Sequence, residues 1–212
     1  MAITKINKDQ VRFQDPKGVI FFPWANGAIG TDGYDIHDIV GDTFSLTQDD
    51  SDRTEIPWEF GDDPLDENVS LGNRSLTMQC LDFQDDIMKQ LFGWDTDTDG
   101  FAAAPAQYTD LYCTIVLQFE GKSVVMPKVK MDSKAALENL RTDIARGELN
   151  GVLYATDVLL GSSATSFKET GLFFVNDGKD FVIGATQGEE GITGGSKISI
   201  SDAGVVTIAA NA

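Results

Sequence analysis

The chain has 212 residues, 42% of them hydrophobic, which is enough to bury a sizeable core in one domain with at most a small appendage. Its formal net charge of −18 argues against tight binding to nucleic acid or to an anionic membrane, because both would repel it. Without a signal-peptide pattern or a long apolar run, we expect a protein made in a cytoplasm and soluble there.

The first third of the chain is predicted to consist of strands joined by loops. Residues 19–22 form an apolar strand that Pro23 ends, and further strands are predicted over residues 43–47 and 53–60. The segment 61–68 is then a solvated acidic turn around Pro64.

A strand followed by a helix is the clearest local pattern. Residues 75–81 alternate, and the side chains predicted to point inward are Leu76, Met78 and Cys80. Asp82 stands at the N-cap position of a helix near residues 83–92, which we expect to have about three turns. The apolar stripe of this helix is Phe83, Ile87 and Leu91. Gly93 is placed to end it in a left-handed conformation.

Residues 110–160 form the predicted centre of the fold. Residues 111–119 alternate with a period of two, and the side chains on the apolar face are Leu111, Cys113, Ile115, Leu117 and Phe119. A tight reversal at Gly121 leads into a second strand over 123–131, and this pattern predicts an antiparallel hairpin. The apolar side of the second strand is predicted to carry Val125, Pro127, Val129 and Met131. A further strand is predicted over 152–160.

The segment 133–147 is ambiguous between helix and strand. Leu137, Leu140 and Ile144 recur at helical spacing, and Gly147 could end a helix there. The neighbouring segments are strands, and tertiary context can override propensity.

Beyond Gly161 the composition shifts to Gly, Ser and Thr. Two hairpins are predicted: residues 172–175 with 181–183, and residues 197–201 with 205–208. The glycine-rich segment 184–195 between them is predicted to be a flexible joint. We therefore divide the chain into a β domain, 1–161, that includes the helix, and a C-terminal hairpin extension, 162–212. The extension either completes the sheet, which we favour, or forms a small added module.

No residue stands out as catalytic or as a cofactor ligand, and we expect no enzyme. His37 is the single histidine and has no evident base or nucleophile partner, so a loop or polar role is favoured for it. P-loop, dinucleotide and zinc-type patterns are absent from the sequence. The two cysteines, Cys80 and Cys113, are predicted to be buried free thiols rather than a disulfide.

Residues 95–100 are similar to the opening of a calcium loop. Asp95, Asp97 and Asp99 alternate and are followed by Gly100, so their oxygens could converge on an ion. The twelfth position of such a loop is Ala106, which cannot supply the bidentate carboxylate, and an acidic solvent loop is therefore favoured. We accordingly assign no metal site.

The order of these elements resembles the major tail tube proteins of bacteriophages. The resemblance rests on the strand and short helix of 75–93, a long loop, the central hairpin, and Arg146-Gly147-Glu148-Leu149 leading into 152–160. It covers about residues 13–160. It implies a mainly β fold, an antiparallel sandwich or barrel with one flanking α-helix and α+β at most, and it makes 133–147 more extended than its periodicity predicts.

The same resemblance implies a structural role in a virion tail. Subunits of this family form hexameric rings that stack into a tube, and the genome passes through the lumen. Partners implied are further copies of the chain and other tail proteins: tape measure, terminator, and baseplate or tip. Carboxylates facing the lumen would keep DNA from sticking, and assembly would occur in the host cytoplasm. Neither a cofactor nor a membrane is implied.

An alternative is a surface β-sandwich that binds carbohydrate or protein, with calcium dependence through Asp95–Asp99. Trp24, Trp58 and Trp94 could stack on sugar rings, although such residues more often pack in a core or at its rim.

Overall fold

The protein is mainly antiparallel β-structure with one α-helix among the residues described, as predicted. Its computed structural model describes residues 16–25, 28–36, 39, 43–56, 66–70, 72–81, 84–96, 101–107, 110–136, 146–161, 164–188 and 191–211. None of the described helical structure is long and apolar enough to cross a membrane.

The elements are as follows. The helix is α1 (Asp85–Phe92). The first ten strands are β1 (Gly18–Ala25), β2 (Ala28–Ile29), β3 (Tyr34–Ile36), β4 (Ser45–Gln48), β5 (Asp52–Ile56), β6 (Asp66–Ser70), β7 (Arg74–Cys80), β8 (Asp95–Thr96), β9 (Ala102–Ala103) and β10 (Leu111–Gln118). The remaining strands are β11 (Lys122–Ala136), β12 (Arg146–Leu153), β13 (Thr156–Leu159), β14 (Lys168–Thr170), β15 (Phe173–Asn176), β16 (Asp180–Ile183), β17 (Thr186–Gly188), β18 (Gly191–Thr193), β19 (Ser196–Ile200) and β20 (Val206–Ala210).

A nine-stranded sheet, called the central sheet, organises the molecule. Its strand order is β2-β1-β10-β11-β12-β7-β4, with β3 also paired to β1 and β15 also paired to β11. The predicted hairpin around Gly121 is confirmed as β10–β11, and Gly121 has a φ of 72°, in the left-handed region that the reversal needs. The long strand β11 pairs with β15 near its start and with β12 near its end.

Both faces of the central sheet carry apolar residues. One face and α1 form the helix-side core, which includes Phe21, Leu76, Met78, Cys80, Leu91, Ile115, Met126 and Leu149. The other face meets a second sheet, of order β14-β13-β16-β19-β20, in the inter-sheet core. This second core includes Phe22, Val116, Val125, Phe173, Phe181 and Ile198. The predicted inward positions on β7 and the two buried free cysteines are confirmed.

A bulge in β11 explains why one predicted face is wrong. Cys113 pairs with Val129, whereas Ile115 pairs with Met126, so β11 has one extra residue at this point. Val129 then faces the helix-side core together with Met126, although their spacing is odd. Val125 instead faces the inter-sheet core, so Val125, Pro127, Val129 and Met131 do not share one face.

The helix begins later than predicted and is shorter. It has eight residues, its N-cap residue is Gln84, and no side-chain hydrogen bond caps it. The predicted cap at Asp82 and the start of the stripe at Phe83 lie outside the described residues. The predicted end is confirmed: Gly93 has a φ of 69°, and the Trp94 amide donates to the Met88 carbonyl at 3.1 Å.

Other differences concern where strands end and what they pair with. Strand β1 continues through Pro23 to Ala25, because the ladder tolerates a residue without an N–H and the Pro23 carbonyl still accepts from the Gly30 amide. The predicted strand 152–160 is two strands, β12 and β13, which belong to different sheets. Of the ambiguous segment, residues 133–136 and 146–147 are strand, and Leu137, Leu140 and Ile144 lie outside the described residues.

In the C-terminal part, one predicted hairpin is confirmed and one is wrong. Strands β19 and β20 pair with each other around the turn at residues 202–204. Strands β15 and β16 do not pair, because β15 joins β11 in the central sheet while β16 lies between β13 and β19. The predicted joint 184–195 contains the ribbon β17–β18. The predicted domain boundary at 161 falls between β13 and β14, which are hydrogen-bonded neighbours.

Candidate functional site

The second sheet covers only part of the central sheet, and the uncovered part of that face is polar. Cross-strand pairing aligns its side chains in three rows that cross β11, β12, β7 and β4. We call this surface the polar sheet face, and it consists of Lys130, Val152, Ser75, Thr47; Asp132, Asn150, Thr77, Ser45; and Lys134, Glu148, Gln79. The side chains alternating with them point into the helix-side core.

Polar groups on this face are held by neighbouring side chains. Lys134 Nζ lies 2.8 Å from Glu148 Oε2, and Lys130 Nζ lies 2.8 Å from Asp110 Oδ1 at the edge of the face. The hydroxyls of Thr47 and Ser75 are 2.8 Å apart. Because each lysine has a carboxylate partner, the face is close to charge-balanced and does not concentrate the acidic surplus of the chain.

A shallow pocket of about 330 Å³ lies on the polar sheet face. Its lining comprises Thr43, Thr77, Met78, Gln79, Glu148 and Asn150. The Gln79 amide donates to Thr43 Oγ1 at 3.1 Å, and Arg146 Nη1 donates to Gln79 Oε1 at 3.4 Å. Hydroxyls and amides of this kind bind water well, and the carboxylate in the lining, that of Glu148, is already paired with Lys134.

The polar sheet face ends at an open strand edge. Within the described part of the chain, β4 is hydrogen-bonded only to β7, and on the far side of the central sheet β2 and β3 pair only with β1. An edge strand presents backbone N–H and C=O groups that another chain can pair with. Two edges of one sheet are the surfaces that a head-to-tail ring of identical subunits would join.

A second feature of the same face is an aromatic cluster at the β11 bulge. Trp24 Nε1 donates to Thr114 Oγ1 at 2.9 Å, and Thr114 Oγ1 donates to the Pro127 carbonyl at 2.7 Å, so a buried hydroxyl fixes the bulge. Lys128 Nζ lies 5.1 Å from the ring centres of both Trp24 and Tyr112. Tyr154 meets Tyr112 edge-on at 6.3 Å.

Only some of the residues considered for chemistry lie within the described part of the chain. His37, Trp58, Asp97 and Asp99 lie outside the described residues. Asp95 begins β8 and pairs with Ala103 of β9. The described residues contain no group of three or more His, Cys, Asp or Glu side chains able to hold a metal ion.

Trp94 and Cys113 belong to the helix-side core rather than to a site. Trp94 packs against the helix-side core, and Cys113 is buried in it. Burial raises the pKa of the Cys113 thiol, which therefore stays protonated and unreactive.

Sequence reasoning alone did not identify the aromatic cluster or the polar sheet face. The signal for the face was present in the polar positions that alternate with Leu76 and Met78 on β7. The signal for the cluster was Pro127, since a proline inside a central strand indicates a bulge.

Comparisons with known proteins add little to this description. No protein-family model and no curated protein matches the sequence. Among solved structures, the chain is similar to a chain in the cryo-EM structure of the anti-feeding prophage (AFP) baseplate, at 8% identity and a TM-score of 0.38, over 83% of this chain and 98% of that chain. A likeness this weak carries no argument about fold or function.

Proposed function

We propose that the chain is a structural subunit of a phage tail or of a related injection system, and that its copies form the tail tube as stacked hexameric rings around a channel for genome passage. The observation that carries this proposal is a polar sheet face that ends at the open β4 edge, with a second open edge on the far side of the central sheet, among the strands described. In a ring, the β4 edge of one copy pairs with the opposite edge of the next, so that the central sheets become continuous and no edge stays exposed.

In this arrangement the polar sheet face lines the channel. DNA binds proteins strongly where lysine and arginine replace its condensed counterions. On this face Lys130 and Lys134 are already paired with Asp110 and Glu148, so a phosphate would have to displace a carboxylate to gain either contact. In this arrangement paired charges and hydroxyls of the described residues limit adhesion, alongside the lumen-facing carboxylates that the resemblance implies.

The remaining parts of the proposal follow from a tube role. The chain acts without catalysis, its partners are further copies of itself and the tape measure, terminator, and baseplate or tip proteins, and its place is the virion tail after assembly in the host cytoplasm. The overall charge of −18 keeps unassembled copies apart and away from nucleic acid.

The test is the assembly state of the purified protein, alone and with an initiating tail complex. Light scattering after gel filtration should give the mass of a hexamer, six times 23.0 kDa or about 138 kDa, or larger stacks. Negative-stain micrographs should show rings and tubes. A monomer under every condition, including with an initiator, would refute the proposal.

Hydrogen exchange then tests how the rings form. Amides of β4 (Ser45–Gln48) should exchange more slowly in rings than in monomers, because the edge gains a partner strand. The exposed residues 104–107, away from β4, serve as the internal control and should exchange equally fast in both states. Rings without added protection of β4 would show that other surfaces join the subunits.

The alternative is a surface β-sandwich that binds carbohydrate, and the aromatic cluster is the observation in its favour. Tyr154 is 44% exposed beside Tyr112 and Trp24. However, Lys128 already lies over the rings of Tyr112 and Trp24, where a sugar would stack. Binding on a glycan array that is lost in the Tyr154→Ala variant would favour this alternative, and self-assembly would favour the tube.

A further inference from the structure

One edge of the second sheet lacks the features that keep strand edges from pairing with other chains. Among the described strands, β20 is hydrogen-bonded only to β19, and its register with β19 contains no bulge. Residues 203–211, which include β20, hold no charged side chain and no proline. Natural edge strands are protected by charges, prolines, bulges or a covering segment. The opposite edge of this sheet, β14, is only three residues long and carries the exposed charges of Lys168 and Glu169.

The hydrogen bonds at the two ends of β20 show which of its backbone groups point outward. The Ser201 amide donates to the Val205 carbonyl at 2.9 Å, and the Asn211 amide donates to the Gly195 carbonyl at 3.0 Å. Because bonding residues alternate along an antiparallel ladder, the odd-numbered residues between these two bonds face β19. The N–H and C=O groups of the even-numbered residues therefore point away from the sheet. These residues are Val206, Ile208 and Ala210.

The side chains of β20 add an apolar contribution to this edge. Val206 and Ile208 pack against the inter-sheet core but are only partly buried, whereas Thr207 and Ala209 are exposed on the other face of the strand. A further strand at this edge would cover the open flank of the inter-sheet core and remove more apolar surface from water. The edge thus offers both outward backbone groups and partly exposed apolar side chains.

The strand is complementary to a second copy of itself. In an antiparallel pair centred on Ile208, this residue stands opposite its own copy, and Val206 stands opposite Ala210. Residues that stand opposite in this way exchange both backbone bonds, so every outward N–H meets an outward C=O. The twofold axis is perpendicular to the sheet, so the apolar side chains of both copies lie on the same face.

The charge of the chain also favours this edge over other surfaces. Two copies that each carry a formal net charge of −18 repel each other. Residues 203–211 add nothing to this repulsion, because pairing through them places no like-charged side chains opposite each other.

We propose that free copies of the chain form a twofold dimer through β20, which joins the five strands of each second sheet into one ten-stranded sheet. A twofold contact cannot join subunits within one tube whose rings all point the same way, so the dimer is a state of the unassembled chain. The contact uses neither edge of the central sheet and goes beyond the proposed ring.

Analytical ultracentrifugation of the full chain, without an initiating tail complex, tests the dimer. Wild type should sediment as a species of two times 23.0 kDa, or about 46 kDa, whose fraction rises with concentration between about 1 and 100 µM. Monomers or rings with no dimer at any concentration would overturn the proposal, and rings would leave the tube role intact. Dimers that never form rings, even with an initiator, would refute the tube role alone.

Charged variants test whether β20 forms the contact and in which direction. In the proposed pair, Thr207 of one copy stands opposite Ala209 of the other, and both positions are exposed. The variant Thr207→Glu/Ala209→Glu should weaken the dimer by about tenfold or more, because carboxylates then oppose each other twice. The matched variant Thr207→Lys/Ala209→Glu should dimerise at least as tightly as wild type, because opposite charges face each other only in the antiparallel register. Loss of the dimer in both variants, or in neither, would overturn the proposal.

Disulfide formation tests the register. In Thr207→Cys/Ala209→Cys the directly opposed positions have Cα atoms about 4.5 Å apart, within the range that a disulfide spans, and the native Cys80 and Cys113 are buried. Oxidation should link position 207 of one copy to position 209 of the other. Thr207→Cys alone is the control and should link poorly, because the two 207 positions are diagonal neighbours about 7–8 Å apart. Equal linking of the control, or links only between equal positions, would overturn the proposal.

Discussion

The substitution Gly147→Ala is expected to destabilise the protein by disturbing the contact between α1 and the central sheet. Gly147 lies on β12 opposite Cys80, and the ring of Phe92 at the end of α1 lies above it. A Cβ at position 147 would lie 2.5 Å from Phe92 Cζ and 3.0 Å from Cys80 Sγ. Both neighbours are at least 95% buried, so neither can move into solvent.

The size of the effect follows from this distance. Ordinary contact begins at 3.4 Å, so the ring of Phe92 must move by about 0.9 Å within a packed core. Overpacking of this kind costs about 1–3 kcal/mol, and the lower entropy of the unfolded alanine chain offsets about 0.4–1 kcal/mol. We expect a net loss of about 1–2 kcal/mol, which lowers the Tm of a chain of this size by about 2–8 °C.

Thermal and urea unfolding at one protein concentration measure the effect, with Gly171→Ala as the control. A Cβ at Gly171 would lie 3.5 Å from its nearest neighbours, so the control should match wild type within about 0.5 kcal/mol. Phe92→Leu removes the clashing atom, and the double variant should therefore show a favourable coupling of at least about 0.5 kcal/mol. Unchanged stability of Gly147→Ala, or no coupling, would refute this account of how the helix packs.

Three further predictions concern buried or shifted groups. Ser123→Ala should leave stability in urea unfolding unchanged or raise it by up to about 1 kcal/mol, because the buried Ser123 hydroxyl has no hydrogen-bond partner among the described residues. The matched variant Thr114→Val should cost about 1–3 kcal/mol, because the Thr114 hydroxyl makes two hydrogen bonds. Cys80 and Cys113 should not react with a disulfide reagent at pH 8 in the native protein but should react fully in denaturant, and fast native labelling would show that the helix-side core opens. Burial, and then the carboxylates of Asp86 and Asp32, raise the pKa of Tyr34 above 10.0. The stability that this shift contributes is present below pH 10.0 and is lost as the pH rises through the folded-state pKa, so Tyr34→Phe should lose less stability than wild type over that range, and equal losses would contradict the shift.

Local patterns in the sequence predicted local structure correctly. The period of two over residues 75–81 identified the buried side of β7, because alternation depends only on the pleat of one strand. Gly121 and Gly93 marked a reversal and a helix end, because both positions need a positive φ that glycine adopts without strain.

Strand partners were harder to predict, because a turn fixes only that the chain reverses. The turn at residues 176–179 has good hairpin residues, but β15 completes the central sheet and β16 completes the second one. The choice depends on which apolar face each strand can bury. Phe173 and Val175 of β15 join Val125 in the inter-sheet core, and Phe181 of β16 packs on Phe173 with ring centroids 5.1 Å apart.

The same reason limits prediction of the candidate site. Alternation on β7 places Ser75, Thr77 and Gln79 on one face, which the sequence shows. That Thr77 lies beside Asn150, and Gln79 beside Glu148, depends on the register between strands distant in sequence. The ion pairs that balance the charge of the face follow from that register and from no local motif.

The pairing of β1 with β10 has a consequence for biosynthesis. Pro23 lies opposite Cys113, so the partner of β1 is still untranslated when β1 leaves the ribosome. At 5–20 residues per second, about 5–20 s pass before β10 is available. During that interval β1 can pair only with β2 and β3, so Val19, Phe21 and Phe22 lack the rest of the central sheet, and such non-local pairing is intrinsically slow. Nascent copies on one polysome therefore expose apolar N-terminal segments to one another. Chaperone supply should govern the yield of folded protein more than its final stability does.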